Sequence, residues 1–237
     1  MKLILVSSLL ALAAATPIEH AKRGGGAFDS TYQVGSITSS QVVAAAPGSS
    51  SCATASFADE CHDAGKATPL LNDAFKQYKQ TTLGEVAALL GLMALESGDF
   101  QFNVNHYPGR PGQGTKAMLM FNFIHDYAVD AGMKAQVAEI AGSDQVDSMS
   151  DDKKNKIRAL VTTDKYTFAA APWFLSKKCT PEVQKGVKEG GFKGFQTYMQ
   201  DCVGTGALSA SDDRGKKWCA AVKAVKPDSM SMPSECA

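Results

Sequence analysis

An excess of charge of either sign is missing from this sequence. Its 24 Lys and Arg stand against 24 Asp and Glu, a formal net charge of zero, so nothing steers the chain toward nucleic acid or an anionic membrane. After its first residues it has no apolar run long enough to cross a bilayer. No C-x-x-C pair occurs, and His20, His62, His106 and His125 stand in no ligand-like spacing, which argues against a zinc site or any metal. No N-x-S/T acceptor occurs, which excludes N-linked glycans. Absent too is any β-branched run alternating with period two, and with it a sheet protein. Tryptophan is scarce: Trp173 and Trp218 sit at helical spacing, where core is the commoner role for a large aromatic.

What is present begins with LILVSSLLALAAA, an apolar stretch after Lys2 that ends in small residues. This is the layout of a secretory signal peptide over 1–15. The dibasic pair Lys22-Arg23 leaves two readings open: an ordinary charge pair, or the end of a short pro-segment over 16–23. Residues 24–51 are rich in Gly, Ser and Ala and read as a disordered linker. The folded domain is then 52–237, long enough for a real core. All six cysteines fall inside it, and an even count in a secreted chain means disulfides. Spacing does not choose among connectivities; local pairing would join Cys52–Cys61, Cys179–Cys202 and Cys219–Cys236. The expected setting is extracellular, with a monomer free of the membrane once the signal is removed.

The domain reads as helix after helix. Thr68-Pro69 has the form of an N-cap and first-turn proline. Thr82-x-x-Glu85 fits a capping box opening a helix over 83–95. Further helices are expected from about Thr115 through His125, from Ser150 to Val161, over 168–177 with a turn at Pro172, after Thr180-Pro181, over 192–202, and from Ser211 through Val222. The fold class is all-α around a buried central helix, with room for a small hairpin within 100–114.

The central helix carries the functional signal. Leu83, Val86, Leu89, Leu90, Leu92, Met93 and Leu95 cover nearly its whole circumference, yet its last turn holds Glu96. Partial burial and the negative end of the helix dipole both disfavour a carboxylate there, so the pKa should rise, as a general acid requires. A helix-ending Glu paired with a cation such as Arg110 is the plainer alternative. The loop that follows places Phe100, Phe102, His106 and Tyr107 among Asn103, Asn105, Arg110 and Gln113. Aromatic faces beside amide and guanidinium donors suit a sugar-binding groove.

A buried helix ending in Glu-Ser-Gly, then a polar loop, then a Gly-rich turn entering a helix with Met118, resembles the lysozyme-like superfamily, nearest the goose-type lysozymes and soluble lytic transglycosylases. The segments ESGDF, NHYPGRPGQGT, APWFLSKKC and YMQDCVGTG also resemble a group of secreted fungal proteins. The resemblance implies that Glu96 is the catalytic acid and that Gln113, Gly114 and Met118 line the groove, joined by Asn105, His106, Tyr107 and Arg110 from the loop. Leu119 departs from the superfamily's glutamine. No second carboxylate is assigned among Asp99, Asp126 and Asp164. The implied function is cleavage of β-1,4-linked N-acetylhexosamine polymers, peptidoglycan first and chitin next, with cell-wall polysaccharide as partner and no cofactor. The alternative is a non-catalytic wall-binding or effector protein on the same scaffold.

Overall fold

A computed structural model describes residues 26–237; the expected signal peptide and pro-segment lie outside the described residues. The fold is all-α and disulfide-stabilised. Among the described residues it has ten α-helices: α1 Ser39–Ala45, α2 Ala64–Tyr78, α3 Leu83–Glu96, α4 Phe121–Ala128, α5 Lys134–Ala141, α6 Asp151–Val161, α7 Asp164–Lys178, α8 Pro181–Glu189, α9 Gly191–Thr197 and α10 Asp213–Val225. A π-helical turn follows α4 over Val129–Met133, and another follows α9 over Tyr198–Val203.

Helix α3 is the axle. The Thr82–Glu85 capping box forms as expected, and of its residues only Glu85, Leu95 and Glu96 are not buried. Its broadest partner is α10. Gly91 makes that close packing possible, since a Cβ there would meet the Lys217 backbone at 3.1 Å. Helices α7, α8 and α9 pack around α3 as well, and Trp173 and Trp218 are both core residues.

The linker expected over 24–51 is corrected. From Gly26 onward the arm is part of the body: Leu83 N donates to Tyr32 O and Gly84 N to Ser30 O, both at 2.8 Å. Helix α1 opens on its own capping box, Thr38 with Gln41, and buries Val42 and Ala45 between α10 and α2, with Ile37 buried just before it. Composition hid this. Three apolar positions at the right spacing outweigh the surrounding Gly and Ser once a cap fixes the turn. The folded domain therefore starts well before Cys52.

Other boundaries move too. Asp63, not Thr68, caps α2, and Pro69 lies inside that helix. Residues 115–118 form turns and Leu119 a bridge, so α4 starts only at Phe121. Helix α7 runs straight through Pro172, where residues 167–175 are all buried and packing outweighs one lost N–H bond. Helix α5, with only Val137 and Ala141 buried, was not foreseen. In place of a hairpin, the loop after α3 has isolated bridges, Val104 with Gly114 and Gly114 with Leu119. The three disulfides are Cys52–Cys61, Cys179–Cys202 and Cys219–Cys236.

Candidate functional site

Helix α3 ends abruptly. Ser97 Oγ donates back to Met93 O at 2.6 Å, and Gly98, Asp99 and Phe100 all take left-handed backbone angles, turning the chain within three residues. The Asp99 carboxylate pins this turn by pairing with Lys217 of α10 and accepting from Gly48 N at 3.0 Å. Glu96 is thereby left at the rim of the core, half-buried, with its carboxylate 3.8 Å from the Arg214 guanidinium. Arg110, the cation expected beside it, is instead exposed and donates to Met120 Sδ at 3.7 Å.

Two cavities meet at Glu96. The first, about 200 Å³, is largely apolar: Leu92, Ala117, Leu119, Phe123, Ala171, Phe174 and Val203 line it, with Tyr198, Thr205 and Arg214 at its polar side. The second, about 350 Å³, is lined by Leu95, Gly98, Phe102, Val104, Asn105, His106 and Tyr107. Glu96, Gln113 and Met118 belong to both. Burial pushes the Glu96 carboxyl above the usual carboxylate range, and nearby Arg214 pulls it back by less. Tyr198 is fully buried and its hydroxyl has no partner among the described residues. Burial, and then the Glu96 charge, push the phenol up, so it stays a neutral O–H.

The structure thus gathers Glu96, Asn105, His106, Tyr107, Gln113 and Met118 into one cleft. Arg110 and Gly114 line neither cavity. Gly114 is a packing glycine: a Cβ there would meet Asn103 O at 2.6 Å and Arg158 Cδ at 2.8 Å. The disfavoured second acids lie elsewhere: Asp126 pairs with Lys178 at 2.6 Å and Asp164 with His62 at 2.9 Å.

What the sequence did not reveal is how the second cavity is held. The Cys52–Cys61 disulfide closes a short loop that sets Glu60 and Phe57 against His106. One Glu60 carboxylate oxygen accepts from Asn103 N at 2.7 Å and Val104 N at 3.0 Å; the other accepts from His106 Nε2 at 2.9 Å. Phe57 stacks flat on the His106 ring, centroids 3.5 Å apart. Beneath lies Lys116, fully buried, its Nζ donating to Glu60 O and Phe100 O at 2.8 Å and to Phe102 O at 3.3 Å. Burial brings its pKa down to about 7.

As to cofactors, every cysteine is in a disulfide, and among the described residues no three of His, Cys, Asp and Glu gather as a metal site would need. The cleft can do acid–base chemistry with one carboxyl, and it can hold an organic molecule between an apolar and a polar wall.

No family model and no solved structure matches the chain. It is similar to a bifunctional dioxygenase (DOX)-epoxy alcohol synthase (EAS) of Fusarium oxysporum (strain Fo5176), 39% identical over 158 residues, which are 65% of this chain and 12% of that protein. The chain thus spans only a small part of its relative's length. This finding overturns the expected glycan-cleaving function. The relative is named for dioxygenation and epoxy alcohol synthesis, and cleavage of peptidoglycan or chitin falls with that function. The error has a physical source: Glu-Ser-Gly after an apolar helix says only that an acid stands at the rim of the core.

Proposed function

We propose that the protein is a secreted, monomeric acid–base module whose single working acid, Glu96, acts on an oxygen atom of a largely apolar ligand, an epoxide in the first instance. The observation that carries this reading is the position of Glu96 where the apolar and polar cavities meet. Three disulfides and the leading apolar stretch support export. The scaffold itself, an acid ending a buried central helix beside a cleft, is proposed to be of the lysozyme-like kind.

The ligand class follows from the relative's name and from chemistry. An epoxide is a poor hydrogen-bond acceptor that opens once its oxygen is protonated. In the proposed step Glu96 gives its proton to that oxygen as one C–O bond breaks. Water adds to the freed carbon and returns a proton to the Glu96 carboxylate, so epoxide and water become a diol with nothing left over. Arg214, 3.8 Å away, steadies the transient carboxylate.

The test is hydration of 1,2-epoxyoctane, with diol measured by gas chromatography. The wild type should form diol, and Glu96→Gln should lose at least about 100-fold in rate. Activity should fall as pH rises through the elevated Glu96 pKa. Absence of diol from the wild type, or full activity in Glu96→Gln, overturns the reading.

A further inference from the structure

The two cavities differ in kind, and this dictates the shape of whatever lies across Glu96. In the first, Leu92, Phe123, Phe174 and Val203 offer only hydrocarbon, and the carboxyl and guanidinium present, Glu96 and Arg214, lie 3.8 Å apart. In the second, polar groups converge. Asn105 Nδ2 donates to Gln113 Oε1 at 2.8 Å, and Gln113 Nε2 to Met118 O at 2.9 Å, so both amides are fixed in orientation. His106 is fixed as well: its Nε2 donates to Glu60 at 2.9 Å, and the other ring nitrogen, Nδ1, has no partner among the described residues. Tyr107, 83% exposed, adds a free hydroxyl at the open end. An unpartnered ring nitrogen beside a hydroxyl is a receptor for a ligand hydroxyl. Together the cavities fall in the range of about 300–1,000 Å³ usual for small-molecule sites.

We propose that the cleft takes an elongated, uncharged ligand lying across Glu96, its unbranched apolar end against Leu92 and Phe174 and its hydroxyl-bearing end against His106 and Tyr107. This rests on the cleft being the working site, as the acid–base reading holds, but not on any turnover. His106 acts here as a specificity-determining residue: it selects a terminal hydroxyl that an apolar wall would reject.

The experiment uses non-reactive probes followed by amide NMR shifts and calorimetry on the full protein. 1,2-Octanediol should bind at least about 10-fold more tightly than 1,2-butanediol, because its longer chain fills the apolar cavity. Its shifts should appear at both Val203 and Asn105. Val203→Trp, which occupies the apolar cavity, should abolish this preference. His106→Phe keeps a ring to stack on Phe57 but removes the ring nitrogen; it should weaken 1,2-octanediol and leave n-octane, which has no hydroxyl, unchanged. Equal affinity for the two diols, shifts confined to one cavity, or equal loss of octanediol and octane in His106→Phe overturns the proposal. Diol binding as stated with no epoxide turnover would retire the chemistry and keep this binding mode; turnover without the two-ended preference would do the reverse.

Discussion

Lys116 shows how one residue can set the behaviour of a site it does not line. It is fully buried, its Nζ holds three carbonyl oxygens from two loops, and burial brings its pKa down to about 7 from the usual lysine range. Below that pH the ammonium is charged in both the folded and unfolded chain, and the cost of burying it is fully felt. Above it the folded protein sheds a proton that the unfolded chain keeps, so stability should climb from pH 7 to pH 9. The slope is at most about 1.4 kcal/mol per pH unit. Denaturant titrations across that window should show the climb, and Lys116→Met should flatten it. The same substitution removes one donor from three carbonyls, that of Phe100 buried and those of Glu60 and Phe102 part-buried, and should cost about 1–3 kcal/mol at pH 7. Nothing in GRPGQGTK announced an inward lysine. Glu96, in contrast, was legible, because a carboxylate at the end of a long apolar run has few places to go. Its cation was not: Arg214 lies far along the chain, and only packing of α3 on α10 brings it near.

Among the elements, those with a local signature were readable and those defined by their partners were not. Thr82-x-x-Glu85 located α3, and Thr180-Pro181 located α8, because caps are written in adjacent residues. Helix α5 buries little and left no stripe to find. The 52–61 loop sets Glu60 and Phe57 against His106, a role that exists only once the chain returns to Glu60 46 residues later. Helix α1 is the clearest lesson, since Gly- and Ser-rich surroundings obscured a capped turn. Its weight can be measured: a chain beginning at Cys52 loses the burial of Ile37, Val42 and Ala45. At about 1.5–3 kcal/mol for each large apolar side chain, the loss should exceed about 3 kcal/mol. Chemical denaturation should show a lower midpoint; an unchanged one would mean the arm merely rests on the surface.

For the whole molecule, the disulfides raise a question of wiring. The bridges close loops of 9, 23 and 17 residues in succession, and none overlaps another. Between Cys61 and Cys179 the chain is a single uncrosslinked thread. That thread contains α3, which carries Glu96, whereas Tyr198 and Arg214 lie beyond it. One peptide cut in the exposed connection between α5 and α6 would therefore divide the protein into two covalently separate halves, each owning part of the cleft. After limited proteolysis there, a non-reducing denaturing gel should show two fragments, while size exclusion under native conditions should show one particle held by the α2–α7 and α3–α10 contacts. The cleft is in this sense a complementation interface, and two separately produced halves should restore it on mixing.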